Sequence, residues 1–158
     1  MSWNEVKIGL VPIGSRVYQS KSESGTTADG YPLTIISVKP PEEPHELISV
    51  SDLEKWLVAL GYKFVCRKIN SSRHDLEDIS VLIYSDQGWL KKITLNIKID
   101  LNANDRIKIW EGLIKQICES FHLRLIDSRV GLVEPAEFQD LVKKSFAWEC
   151  FLKRIAAK

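Results

Sequence analysis

Apolar residues recur along this chain with two different periods, and each change of period marks an element. From 105 to 121 the stripe Ile107, Trp110, Ile114, Ile117 and Phe121 returns every three or four positions, with Leu113 widening it. Arg106, Lys108, Glu111, Lys115, Gln116 and Glu119 fall elsewhere, the pattern of an amphipathic helix. Asn104 or Asp105 stands where a cap is needed. A shorter helix is predicted from Ser51. Leu53, Trp56, Leu57 and Leu60 keep helical spacing, Ser51 and Glu54 form a capping box, and Gly61 ends it. Glu134-Pro135 opens a third helix, with proline at its first position. Phe138, Leu141, Val142, Trp148, Leu152 and Ile155 make its stripe, which leaves Phe146 and Phe151 off the line.

Period two governs the segments between. In WLKKITLNIKID (89–100), Ile93, Leu95, Ile97 and Ile99 share one face while Thr94, Asn96 and Lys98 share the other. YKFVCRKI (62–69) and DISVLIYS (78–85) precede it as strands, and DQG (86–88) makes a hairpin connection. Further strands are predicted in VKIGLVPI (6–13), YPLTIISV (31–38) and within LRLIDSRVGLV (123–133). Pro12 places the first of these at a sheet edge or a strand end. The order points to an α+β fold: a two-layer sandwich, mostly antiparallel sheet, with about three helices. One domain spans 1–158.

Two stretches break the periodicity. Residues 14–30 end in KSESGTTADG, which lacks large apolar side chains and reads as a flexible loop. It has no GxxxxGK[ST] pattern to grip a phosphate. PPEEP (40–44) begins an extended Pro/Glu-rich connector over 40–49.

Composition narrows the classes. The net charge is +1, and such a balance disfavours a dedicated nucleic-acid binder. No apolar run is long enough to span a membrane, and MSWNEVKIGL is not a secretory signal. The cysteines, Cys66, Cys118 and Cys150, are three and widely spaced, so a cytoplasmic chain with reduced thiols is expected, with no zinc ribbon.

Candidate chemistry is sparse. Cys118 and His122 stand one helical turn apart, but no third ligand or orienting group accompanies them, and Cys118 falls on the flank of its stripe. NSSRHDLED (70–78) concentrates His74, Asp75, Glu77 and Asp78 in what reads as an exposed loop. Neighbours in sequence seldom point as catalysis requires, so this loop suits binding better. The connector adds Glu42, Glu43 and Glu46, and residues 42–78 hold eight acids against five bases. Trp89, beside the hairpin turn, is a candidate aromatic anchor. Phe146 and Phe151, off the stripe, are a candidate dimer face. No catalytic residue, metal or cofactor is assigned.

The capped helix SDLEKWLVALGYK, the strands DISVLIYS and WLKKITLNIKID, the helix NDRIKIWEGLIKQICESF and the closing LVEPAEFQDLVKK together resemble small bacterial immunity proteins in layout. The resemblance implies a protein-binding inhibitor that neutralises a cognate toxin by steric occlusion. The acids of 42–54 and 74–78 would meet a basic surface, with Trp89 as an anchor. Two alternatives stay open: a small cytosolic enzyme or ligand-binding domain using the 70–78 loop, and a homodimeric interaction protein.

Overall fold

A computed structural model describes residues 4–26, 32–127 and 131–157. Nine strands and four α-helices follow along these residues: β1 (Glu5–Pro12), β2 (Arg16–Thr26), β3 (Pro32–Lys39), α1 (Val50–Ala59), β4 (Lys63–Lys68), β5 (Ser71–Leu76), β6 (Ile79–Asp86), β7 (Trp89–Lys98), α2 (Ala103–Phe121), β8 (Leu123–Asp127), β9 (Gly131–Val133), α3 (Phe138–Lys143) and α4 (Phe146–Ala156). The fold is α+β. Seven strands form one antiparallel sheet in the order β4-β5-β6-β7-β1-β8-β9, and β2 with β3 forms a separate hairpin.

Strand alternation assigns the two faces of the sheet. Val6, Ile8 and Leu10 of β1, Ile79, Val81 and Ile83 of β6, and Ile93, Leu95 and Ile97 of β7 turn to one side. There they join Leu53 and Leu57 of α1, Trp110 and Ile114 of α2, Phe138 of α3 and Phe151 of α4 in one continuous core. On the opposite side Val11 and Ile126 pack with Val17 and Val38, so the base of the β2–β3 hairpin caps that face as a small third layer. Gly9 of β1 pairs with Ile126 of β8, and a Cβ there would stand 2.6 Å from Ile126 Cγ1.

The glycine that ends α1 holds as expected, and three local boundaries shift. The β6–β7 turn is tighter than a three-residue loop: Asp86 pairs with Trp89 around Gln87-Gly88, both at positive φ, a two-residue primed turn. Gly61 takes φ +99 after α1. α1 starts two residues early, because the Ser49 hydroxyl rather than that of Ser51 accepts from the Asp52 amide (3.4 Å). α2 starts at Ala103, with the Asp100 carboxylate accepting from the Asn102 amide (3.0 Å).

Three expectations are corrected. The 70–78 stretch is not a loop: Ser71–Leu76 is β5, paired on both sides by β4 and β6. Its polar inner residues concealed the alternation. The 14–30 stretch is strand β2 over Arg16–Thr26, and residues 27–30 lie outside the described residues. β1 is central, and Pro12 stands at its end, as the strand-end alternative requires. The last predicted helix is broken in two by Ser145, whose hydroxyl donates to the Val142 carbonyl (2.6 Å) and accepts from the Trp148 amide (3.2 Å). The break resets the helical phase, so Phe151 points into the core while Leu152 and Ile155 are exposed. Phe151 is therefore not part of an exposed dimer face, and Phe146 is half-buried.

Candidate functional site

The structure gives the two acidic groups of 42–78 different surroundings. Glu77 and Asp78 form the β5–β6 turn, at one end of the sheet. Arg106 of α2 reaches them there. Its Nε and Nη2 donate to the Asp78 carboxylate (2.9 and 3.1 Å), and Nη2 donates to Glu77 (2.6 Å). Trp110 Nε1 donates to the same Asp78 carboxylate (3.0 Å). These acids tie α2 to the sheet. Asp75 is engaged as well, accepting two hydrogen bonds from Arg73 (3.0 Å each). Burial pushes its carboxyl up, but the bonds from Arg73 and Ser80 and the Arg73 charge outweigh that and hold it below the usual carboxylate range.

His74 is only 2% exposed and faces the core side of β5. Its Nε2 lies 2.8 Å from Glu54 Oε2 of α1 and 3.5 Å from Ser72 Oγ. Arg67 of β4 grips the same Glu54 with two hydrogen bonds (2.8 and 3.1 Å). The set of serine, histidine and carboxylate resembles a nucleophile relay in composition only. A relay engages the serine through one ring nitrogen and the acid through the other. Here both lie at Nε2, while Nδ1 is buried with no hydrogen-bond partner among the described residues. The network fastens α1 to β4 and β5. His74 does not belong on an exposed partner-binding surface.

The Cys118–His122 pair resolves in the same way. Cys118 is buried, and burial, with the Glu119 charge adding, pushes its thiol up to about 12. It holds no thiolate at neutral pH. His122 adopts the left-handed conformation (φ 54) as the cap of α2, its amide donating to the Cys118 carbonyl. Among the described residues no three His, Cys, Asp or Glu side chains converge as metal ligands would.

Thiol labelling of the folded protein is expected to modify the exposed Cys66 and to spare Cys118 until the chain unfolds. Labelling of Cys118 in the native state would contradict its burial. The same burial sets an alkaline limit. Cys118 and Tyr62, the latter also pushed up to about 12 by burial and then by Asp78 and Glu77, hold their protons more tightly folded than unfolded. Their contribution is complete below the ordinary thiol value of 9.0 and is lost as pH rises toward 12. Urea midpoints should therefore fall between about pH 8 and about pH 11.

The connector builds one wall of a concave surface. The Leu90 amide donates to the Ile48 carbonyl (2.8 Å), and the Val50 amide to Gly88 (3.2 Å). These bonds clamp the connector's end to the β6–β7 turn. Ser49 thus bridges to Trp89, and the exposed indole stands beside the α1 N-terminus. Glu42 and Glu43 are exposed, and Arg16 pairs with Glu42 at the surface (2.9 Å). The Glu46 carboxylate lies over Gly14, where a Cβ would collide with it.

Between the connector and the C-terminus of α2 lies a cleft of about 660 Å³. Ile13, Leu47, Ile48 and Phe121 give it apolar walls, and Glu46, Asp52, His45 and His122 a polar rim. Trp56 meets Phe121 edge-on at 5.6 Å and holds α1 against this end of α2. The negative end of the α2 dipole meets Glu46 at this rim, while Asp52 sits at the positive N-terminal end of α1. Sequence reasoning found the acids and Trp89. It missed Ile13, Phe121 and the cleft, because strand β1, the connector and α2 meet only in three dimensions. Among the described residues no helix is long and apolar enough to cross a membrane. No protein family, curated protein or solved structure matches this chain.

Proposed function

We propose that this protein is a protein-binding inhibitor of the immunity type, which occludes a basic surface of a toxin with its connector face. One observation supports the reading most. Glu46 and Asp52 border an apolar-walled cleft, the exposed acids Glu42 and Glu43 precede it on the same connector, and the exposed Trp89 bridges to Ser49 of its lining. Binding interfaces combine such parts, an aromatic anchor with a desolvated pocket and a charged rim. The acids would raise the association rate with a basic partner, and Trp89 with the cleft would slow dissociation. Asp75, Glu77 and Asp78 are left out of this surface, because Arg73 and Arg106 already neutralise them.

Reversal of Glu42, Glu43 and Glu46 to lysine tests the proposal. The native protein should capture a stoichiometric basic protein from lysate of its host, and the triple variant should bind that protein at least tenfold more weakly. Circular dichroism and melting should show the variant folded, since surface changes of this kind cost little. Equal affinity for native and variant proteins would remove the connector from the interface.

A further inference from the structure

The charge distribution hides a second surface of opposite sign. Residues 42–78 average to a mild acidic excess, but they are three blocks. Between Glu54 and Asp75 no acid occurs, while Lys55, Lys63, Arg67, Lys68 and Arg73 do. Most of that block is β4, the terminal strand of the seven-stranded sheet, whose single sheet neighbour is β5.

All six residues of β4 are exposed. Phe64 is 53% exposed, Val65 49%, and Ile69, just past the strand, 98%. An edge strand leaves a row of backbone donors and acceptors unpaired, ready to template another strand. Register divides its side chains between the faces. Lys63, Cys66 and Lys68 pair with Asp75, Arg73 and Ser71, away from the core side. Phe64 and Arg67 pair with His74 and Ser72, toward it. Arg67 stacks 5.5 Å above the Phe64 ring and is held by Glu54. Asp75, opposite Lys63, is itself taken up by Arg73, and among the described residues no carboxylate forms an ion pair with Lys63 or Lys68.

A second copy of this chain is a poor occupant. Antiparallel self-pairing centred on Val65 and Cys66 would set Lys63 of one copy against Lys68 of the other, and like charges directly opposite are destabilising. The bulge between Phe64 and Cys66 also blunts the edge against indiscriminate pairing. An acidic strand meets no such repulsion. It would bring carboxylates to Lys63 and Lys68 on one face and apolar side chains to Phe64 on the other. We propose that β4 accepts an acidic, extended segment of a partner protein as an eighth strand of the sheet. The surface is distinct from the connector face. It offers a basic strand edge where the connector offers an acidic cleft, and this proposal does not depend on the inhibitor reading.

The probe is a fluorescein-labelled synthetic peptide of alternating glutamate and valine, titrated against the native protein by anisotropy. Saturable binding below about 1 mM is expected. Lys63→Glu with Lys68→Glu should weaken it at least tenfold. An analogue of the peptide N-methylated at alternate residues keeps the charge but cannot pair as a strand, and it should also bind at least tenfold more weakly. That comparison uses the unaltered protein and stands even if the double variant fails to fold. Absence of saturable binding overturns the proposal, as does equal affinity for the N-methylated peptide, which would reduce the effect to charge attraction. Tighter binding of a labelled single-stranded oligothymidylate that displaces the peptide would overturn it in favour of a nucleic-acid surface.

Discussion

Phe151→Glu is expected to unfold this protein rather than dissociate an oligomer. Phe151 is 1% exposed and packs 5.0 Å from Trp148 in the core shared by α4, α2 and the sheet. Removing a buried phenylalanine costs about 3 to 5 kcal/mol, and a buried carboxylate with no partner adds several more. That sum matches the entire stability of many domains, about 5 to 15 kcal/mol. The expected result is a chain with no cooperative melting transition at room temperature. Leu152→Glu, one position on, is the control. Leu152 is 46% exposed, so the change should cost under about 0.5 kcal/mol. A folded Phe151→Glu variant with a halved solution mass would restore the residue to a dimer face and refute the broken-helix reading of 138–156.

Asp78→Ala carries the second-largest expected effect, a loss of about 3 kcal/mol in urea unfolding. The Asp78 side chain is 10% exposed and is the common acceptor for Arg106 and Trp110. Its removal leaves the guanidinium short of its main partner and strands a buried indole N–H. The lower end of the range for broken buried pairs applies, because Arg106 is partly exposed and keeps Glu77. Glu77→Ala should cost less than about 1 kcal/mol, as an exposed ion pair does. Equal losses at the two positions would show that Asp78 is another surface acid and that the turn does not anchor α2.

Both predictions turn on residues whose roles change between the chain and the fold. Asp78 and His74 read as parts of a solvated loop, since SSRHDL has one large apolar residue, Leu76, and no alternation of such residues to mark a strand. In the fold, β5 alternates regularly, but its two buried side chains are Ser72 and His74. Glu54 of α1 supplies their polar partner, and a contact twenty residues away in sequence leaves no local periodic trace. β2 escaped for a related reason, its second half being rich in serine and its one neighbour in the described sheets being β3.

Hydrophobic period alone was enough for α1, α2, β6 and β7, and through them for the α+β class, because each buries one face along its own length. The same local chemistry marked the connector by its prolines, the α1 terminus by Gly61 and the surface standing of Glu42, Glu43 and Trp89. Strand order, the central place of β1, the phase reset at Ser145 and the division of the acids into a neutralised turn and an open connector were decided by contacts between distant segments. Such contacts depend on which faces meet across the core. A pattern read residue by residue reports which side of an element is apolar, and only packing determines what that side, and the polar side opposite, will touch.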